Sequence, residues 1–505
     1  MAPKARLSNA VRITDINDFL APSQACVLPL GGGASANSSR TPVEDGKQGA
    51  ENVVVARLKA EPAGSFLAPI VPVQSTNVEV AKAKVTLSDC LTCSGCVTSA
   101  ETVLLSTDSL DSLRQFRKSR KSSARSNFAV AALSQQAVAS IAVHFGSSLG
   151  VAARKLSTFL RDDVGFDAVF DLSFARHLSL LEASEEFMQR FKSGKKLTIT
   201  SACPGWVSYA EKTQDDNILS CISSVRSPQG LAALVAKALR PQGNTSDVWI
   251  TAIMQCHDKK LEASRPEFVS IDSSGNEKKE VACVITAGEL MDLIDECKFD
   301  FEDATESPFD VPFQTARTKI FGVNVGSGSG GYADFILREA AEEFLGVKLP
   351  DGPLQWEKAS KSGDLMLITI EETSGTKKLQ FAKAYGFRSL QSILRKVRRG
   401  ICKFDYIELM ACPGGCNNGG GLLDAPLDPE DTTLTLRQRT NLHLESVNAK
   451  FSESPIVENP LSIASVQDLY RHVVGGLPGT QPAKKMLTMS IQPRKMSNNP
   501  ASFDW

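Results

Sequence analysis

Three closely spaced cysteines have the pattern of ligands to a metal cluster. In the segment DCLTCSGC, Cys90, Cys93 and Cys96 recur at every third position. One loop with this spacing can direct three thiolates at three corners of an iron–sulfur cube, and Gly95 permits the tight backbone path that this requires. A zinc site built from the same thiolates and a chance spacing are the alternatives.

This run supplies three ligands, so a fourth must come from elsewhere in the chain. In bacterial ferredoxins a further Cys lies four residues after the third, at the position that Ala100 occupies here. Cys26 is the only cysteine upstream of the run. The stretch at 31–75 opens with GGGASANSSR and is predicted to be a flexible, loop-like insertion. If it loops out, Cys26 can join the run at a modest entropic cost.

A second, dispersed set of cysteines occurs in three further motifs. These are Cys203 in TSACPGW, Cys256 in MQCHDKK, and Cys412 and Cys416 in MACPGGCNNGGG. Each motif follows a predicted strand, so the thiolates are expected at one edge of an α/β fold, where four can close a site between two lobes. The ammonium groups of Lys259 and Lys260 are candidates to balance its negative charge. A set of ordinary buried cysteines is the alternative.

The elements that must position these residues are indicated by the hydrophobic pattern from Phe128 onward. Buried strands are predicted at 129–133, 195–200, 247–253, 281–286, 319–325 and 406–411. Amphipathic helices are predicted at 173–191, 287–296 and 332–345. This alternation predicts α/β units with mainly parallel strands.

The composition argues against several classes of protein. The 505 residues carry a net charge of −1, which argues against direct nucleic-acid binding. No uninterrupted apolar stretch has the length of a membrane span, and the N-terminal residues lack the pattern of a signal peptide. The 12 cysteines are therefore expected in a reducing cytosol, where closely spaced thiols bind metal more often than they form disulfides.

Three other features receive ordinary interpretations. The glycines of GSGSGGYADF match the dinucleotide-binding spacing, but no acidic residue follows at the required distance. The basic, Ser-rich segment RQFRKSRKSSARS is predicted to belong to a linker at 106–126, with contact to an anionic partner as the alternative. The remaining cysteines are interpreted as core residues or unremarkable thiols, namely Cys221, Cys283, Cys297 and Cys402.

Taken together, the motifs resemble those of a known family. TSACPGW, MQCHDKKLEASR and MACPGGCNNGGG are similar to the cluster-binding motifs of iron-only hydrogenases. With LAPSQAC, CLTCSGC and the terminal Phe-Asp-Trp, the chain looks like the hydrogenase-like assembly factors of the cytosolic iron–sulfur machinery. The resemblance implies a core of two α/β lobes with mainly parallel sheets, plus a small N-terminal iron–sulfur region.

The resemblance also implies two 4Fe–4S clusters. The family's N-terminal ligands fall on Cys26, Cys90, Cys93 and Cys96, and its core ligands fall on Cys203, Cys256, Cys412 and Cys416. In true hydrogenases the Ala202 position carries a Cys that passes protons to a di-iron unit, which a methyl group cannot do. Gln255 stands where Pro is usual, and His257 is a possible substitute ligand or a neighbouring polar residue.

The chain ends in Phe503, Asp504 and Trp505. Two aromatic residues flanking an acid form a compact anchor that can fill a pocket. The resemblance implies that this tripeptide is recognised by the cytosolic iron–sulfur targeting complex, which includes a WD-repeat scaffold. A frayed terminus is the alternative.

The function predicted from the sequence is a non-catalytic, two-cluster component of iron–sulfur protein assembly that serves extramitochondrial apoprotein clients. The alternatives are an iron-only hydrogenase and a zinc-thiolate nuclear interaction protein. The predicted domains are an N-terminal 4Fe–4S region at 1–105, the linker at 106–126, a hydrogenase-like core at 127–425 and a C-terminal segment at 426–505. The expected location is the cytoplasm, with the nucleus as a second compartment and without membrane or nucleic-acid contact.

Overall fold

Two β-sheets flanked by helices organise the part of the chain that the computed structural model describes. The described residues are 110–494 apart from 123–126, 196, 242–246, 272–276, 324–325, 351, 361, 373–374, 376, 426–433 and 458. Hydrophobic side chains of both sheets belong to one buried cluster. The two sheets therefore share a core.

The first sheet has four parallel strands in the order β2–β1–β4–β7. Its strands are β1 (Phe128–Leu133), β2 (Ala168–Asp171), β4 (Val248–Met254) and β7 (Cys283–Thr286). The intervening strand β3 (Thr198–Thr200) belongs to the second sheet. A small antiparallel pair precedes β7 and consists of β5 (Val269–Ile271) and β6 (Glu277–Lys279). Side chains of β1 enter one buried cluster on each face, as expected for a parallel sheet covered on both sides.

The second sheet has five strands in the order β3–β11–β10–β9–β8. Its remaining strands are β8 (Glu357–Lys358), β9 (Leu365–Glu371), β10 (Lys378–Tyr385) and β11 (Tyr406–Met410). The strands β3, β11 and β10 are parallel, whereas β9 and β8 extend the sheet in antiparallel fashion. The carboxyl ends of the three parallel strands therefore share one edge.

Fourteen α-helices are present in the described ranges. In chain order, α1 to α7 are Leu110–Lys121, Gln135–His144, Leu149–Thr158, Ser173–Lys192, Pro204–Thr213, Asp216–Leu219 and Pro228–Leu239. Helices α8 to α14 are Asp258–Ala263, Ala287–Cys297, Tyr332–Leu345, Gly386–Arg398, Leu436–Phe451, Ala464–Asp468 and Gln481–Leu487. Helices α3 and α13 each continue into a wider π-helical turn, at Phe159–Val164 and Leu469–Val474 respectively.

Helix α4 joins the two sheets. Its long apolar face is buried, and the ring of Phe187 lies 5.4 Å from the rings of both Phe381 and Tyr406 in the second sheet. Leu178 and Leu180 of the same helix belong to the cluster that contains Val130 of β1. A helix that buries apolar surface against both sheets fixes their separation.

One helix pair is apolar enough to be compared with a membrane span. No single helix in the described ranges is long and apolar enough to cross a membrane. The segments Gln135–His144 and Leu149–Val164 meet the length and composition criteria only together, and they are bent by 99° relative to each other.

The structure confirms the predicted α/β architecture with two lobes and mainly parallel strands. The predicted strand at 319–325 is wrong, because the described residues 319–323 are not in a strand. Gly322 has a positive φ of 68° and its amide donates to the buried Asp171 carboxylate. A side chain at this glycine would lie 2.0 Å from Nε2 of Gln135. The chain therefore turns at Gly322, where the apolar run at 319–325 predicted an extended strand.

The linker predicted at 106–126 is also wrong over Leu110–Lys121, which form helix α1. Leu113 is fully buried, and the ring of Phe116 stacks on Phe166 and Trp249 at 5.0 and 5.4 Å. Arg120 donates to the Gly165 carbonyl at 2.9 Å. The basic composition concealed an amphipathic helix whose apolar side packs on the core, while several of its cationic residues remain exposed.

Replacement of a buried leucine tests whether α1 belongs to the folded core. We expect Leu113→Ala to lower the free energy of unfolding by about 3 kcal/mol, because it leaves a cavity in packed surroundings. Lys118→Ala, on the exposed side of the same helix, is the matched control and should change it by less than about 0.5 kcal/mol. Chemical denaturation measures both, and equal stability of the two variants would contradict the packing described here.

Candidate metal centre

The core cysteines lie where strands end. Cys203 follows β3 and directly precedes α5, whose first residue is Pro204. Cys256 follows β4 of the first sheet, and Cys412 follows β11 of the second. Cys416 begins a short 3₁₀ turn four residues later. The site predicted between two lobes thus receives thiols from both sheets.

Glycines bring the two cysteine loops together. The amide of Gly421 donates to the Gln255 carbonyl at 2.9 Å. A Cβ on Gly419 would lie 2.4 Å from the Gln255 oxygen, and one on Gly421 would lie 3.2 Å from Cα of Cys256. Only glycine allows the two backbones to approach this closely. The glycine run after Cys416 therefore sets the distance between the loop after β11 and the loop after β4.

The four thiols are electrostatically coupled. Burial raises the pKa of each, to about 12 for Cys416. The pKa of Cys412 is raised further by Cys203 and Cys416, and that of Cys256 by Asp258, Cys412 and Cys203. Four neighbouring thiolates would repel one another in this environment, so their ionised forms require a compensating cation.

Several groups do stabilise negative charge on the sulfurs. Backbone amides of Ala411 and Trp206 lower the pKa of Cys203 relative to burial alone, and the amide of Gly420 does so for Cys412. Donors directed at sulfur are what a thiolate ligand needs to remain ionised.

The two lysines named from the sequence lie in different surroundings. Lys259 is 2% exposed, and its Nζ donates to Ser227 Oγ at 2.9 Å and to Glu262 Oε2 at 2.7 Å. Its charge lowers the pKa of Cys203, Cys256 and Cys416 relative to burial alone. Lys260 instead pairs with Glu289 at 2.6 Å. Lys259 therefore acts on three of the four thiols, whereas the charge of Lys260 is paired with Glu289.

His257 lies at the start of α8. Burial lowers its pKa, and the charged groups acting on it are Glu289 and Lys260 rather than a cysteine.

The donor set fits a group larger than one ion. No three Cys, His, Asp or Glu side chains of the described residues converge closely enough to hold a single metal ion. The four thiols are nevertheless near enough to shift one another's pKa. Four soft thiolates are the ligands that an iron–sulfur cube takes.

Sequence reasoning missed the groups that hold the loop of Cys416. The amide of Cys416 donates to Ser329 Oγ at 3.0 Å. The hydroxyl of Tyr385 donates to the buried Glu408 at 2.7 Å and also bonds to the Ser329 side chain. Ser329 belongs to the Gly-rich segment at 326–331, whose spacing had suggested a nucleotide. The segment instead packs on the cysteine loop, where a Cβ on Gly328 would meet Asn417 at 2.1 Å.

The other predicted site residues lie outside the described residues. These are Cys26, Cys90, Cys93 and Cys96 at the N-terminal site and Phe503, Asp504 and Trp505 at the C-terminus. The insertion at 31–75 also lies outside them.

Comparison with known proteins agrees with this geometry. Residues 127–420 match the family model of the iron only hydrogenase large subunit, C-terminal domain. The fold is similar to [FeFe]-hydrogenase HydA1 from Chlamydomonas reinhardtii, with a TM-score of 0.63 and 23% identity over 76% of this chain and 100% of that chain.

Similarity to another group of relatives extends over nearly the whole chain. Cytosolic iron-sulfur assembly component 3 of Bos taurus is 35% identical over 99% of both chains. Protein NAR1 of Arabidopsis thaliana is 34% identical over 97% of both. Cytosolic Fe-S cluster assembly factor narfl of Xenopus tropicalis is 38% identical over 83% of this chain and 85% of its own. The chain therefore belongs to the family of hydrogenase-like cytosolic iron–sulfur assembly factors.

Proposed function

We propose that the chain is a non-catalytic component of cytosolic iron–sulfur protein assembly that carries two 4Fe–4S clusters. It would mature or transfer clusters to apoproteins outside the mitochondria. The observation that carries the proposal is the meeting of four coupled thiols that follow strands of two sheets, in a chain similar over its length to relatives named as assembly components.

In the core, Cys203, Cys256, Cys412 and Cys416 would hold one cluster. A 4Fe–4S cube supplies one-electron chemistry and labile iron and sulfide when bound. The chain's own groups would keep the thiolates ionised through amide donors and through Lys259, whose charge is shared with Glu262. We retain Lys260 as a more remote contributor, since its partner is Glu289.

The proposal of a non-catalytic role depends on Ala202. This residue lines a cavity beside Cys416, next to the end of β3. A methyl group has no proton to give, so no thiol relay can operate at this position. Proton transfer at such a place is what a hydrogen-forming site would require.

The N-terminal cluster would be held by Cys26, Cys90, Cys93 and Cys96. Its ligands come from two segments separated by the stretch at 31–75. A site whose ligands come from two separable segments can open at lower cost than one fixed by two sheets. We therefore propose the N-terminal cluster as the exchangeable one and the core cluster as the stable one.

The terminal Phe503, Asp504 and Trp505 are proposed to bind the targeting complex that includes a WD-repeat scaffold. Two aromatic side chains provide contact area, and an acid provides charge-based selection beside a basic residue of the partner. The proposed location is the cytosol, as the names of the relatives indicate for those proteins, with the nucleus as a second compartment.

Removal of a core ligand should halve the iron content. Anaerobically purified full-length protein is expected to contain about eight iron and about eight sulfide per chain, and Cys412→Ala about four of each. Cys402→Ala is the matched control, because Cys402 lies shortly before β11, outside the set of four coupled thiols. Iron, acid-labile sulfide and zinc are quantified in all three proteins.

Three results would contradict the proposal, two from that quantification and one from infrared spectra of the same samples. Stoichiometric zinc without sulfide would support a zinc-thiolate protein instead. Infrared bands from metal-bound carbon monoxide and cyanide would indicate a hydrogenase-type di-iron unit. Equal iron in Cys412→Ala and Cys402→Ala would remove Cys412 from the ligand set.

Loss of an N-terminal ligand should stop client maturation. Cys93→Ala is expected to leave the core cluster in place and to reduce cluster incorporation into a cytosolic apoprotein to background, because three remaining thiolates hold a cube poorly. Ser94→Ala, in the same loop, is the control and should retain activity. Full maturation by Cys93→Ala would refute a functional N-terminal cluster.

Removal of the last residue should abolish capture of the targeting complex. A chain lacking Trp505 is expected to recover little of that complex from cytosol, whereas Ser502→Ala should recover it at the level of the unaltered chain. Both are measured by affinity purification and immunoblotting for the WD-repeat scaffold. Equal recovery by the truncated chain would show that the tripeptide is not the anchor.

A further inference from the structure

A small cavity with both apolar and polar wall residues lies beside the cysteine site and has no assigned role. Its volume is about 40 Å³, roughly the space of three water molecules. The side chains of Arg176, Ala202, Gln255, Lys259 and Cys416 contribute to its wall. It therefore lies between the thiols and the amino-terminal part of helix α4.

Arg176 is the unusual residue of this cavity. It is 4% exposed, and its Nε and Nη2 have no hydrogen-bond partner among the residues that the structure describes. Burial lowers its pKa to about 10, so the guanidinium remains charged at neutral pH. A buried cation with unmet donors is costly unless an acceptor occupies the cavity.

The nearby charged groups leave those donors unmet. Asp171 acts on Arg176 electrostatically, but its oxygens accept from Ser173 and Gly322. The charge of Lys259 is matched by Glu262 at 2.7 Å. Carboxylates near the cavity are thus engaged with other donors, and within the described residues no acceptor meets Nε or Nη2 of Arg176.

Helix ends contribute partial positive charge at the cavity. Three helices of ten or more residues begin at its wall: α2 at Gln135, α4 at Ser173 and α7 at Pro228. The amino-terminal end of a helix carries partial positive charge. Convergence of three such ends on one small cavity favours an anion over a neutral occupant.

A second atom of a wall residue also lacks a hydrogen-bond partner in the described ranges. It is Oε1 of Gln255, a residue that is 7% exposed. Its amide can present either oxygen or nitrogen to the cavity by rotation. An occupant that accepts from Arg176 would therefore meet a second polar group that can adapt to it.

We propose that this cavity binds a small monovalent anion, held by the guanidinium of Arg176 and the amino-terminal ends of α2, α4 and α7. The anion has the size of a halide, hydrosulfide or formate ion, since the cavity holds no larger group. This inference does not depend on the proposed assembly function, because it uses only the cavity and its wall.

Bromide is the probe for this site, because it scatters anomalously and can be titrated. In crystals of the full-length protein grown anaerobically with sodium bromide, an anomalous peak is expected in the cavity within hydrogen-bonding distance of Arg176. In solution, each tenfold increase of bromide above its dissociation constant should raise the unfolding temperature by an equal step.

Arg176→Met should abolish both signals, because it removes the guanidinium while keeping an apolar chain of similar length. Arg190→Met is the matched control on the same helix. Arg190 pairs with Glu186 and donates to the carbonyls of Ser220 and Ile222. This control is expected to be less stable than the parent but to keep the anomalous peak and the bromide dependence.

Two outcomes would overturn the proposal. One is a cavity that contains only water in bromide-soaked crystals of the parent, a test that holds even if Arg176→Met does not fold. The other is an equal bromide dependence of the unfolding temperature in the parent and in Arg176→Met, which would assign the effect to general salt action.

Discussion

The backbone contact between Gly421 and the loop of Cys256 is the interaction on which the site depends. It joins the segment after β11 of the second sheet to the segment after β4 of the first, through the bond from the Gly421 amide to the Gln255 carbonyl. The Gly421 carbonyl in turn accepts from Gly288 at the start of α9. No side chain separates the two backbones, so a small change in this contact would move the thiols of one sheet relative to those of the other.

The charge of the thiols is the second constraint on the cysteine site. Burial makes all four thiols reluctant to ionise, and Asp258 adds to this for three of them. Amide donors and Lys259 act in the other direction. The raised pKa values favour protonated thiols in the absence of metal, so metal binding at the proposed site would release protons.

Features that depend on residues close together in the chain could be predicted from the sequence. The cysteine motifs after β3, β4 and β11 were recognisable because strand ends share an edge, and the helix at 332–345 was predicted at its observed bounds. Long-range contacts were beyond reach. Nothing in the sequence indicates that Ser329 accepts from the amide of Cys416, since 87 residues separate them. The prediction of a strand at 319–325 failed for the same reason, because the amide of Gly322 donates to the distant Asp171.

The substitution at Ala202 is best understood from the cavity that it lines. A thiol there would place a reactive, ionisable group beside Cys416, whereas a methyl group leaves space without adding chemistry. The remaining polarity of the cavity comes from Arg176 and from helix ends that belong to the fold itself. The proposed anion site therefore uses groups that do not depend on the residue at position 202, and its affinity for a small anion would come from Arg176 and the helix ends alone.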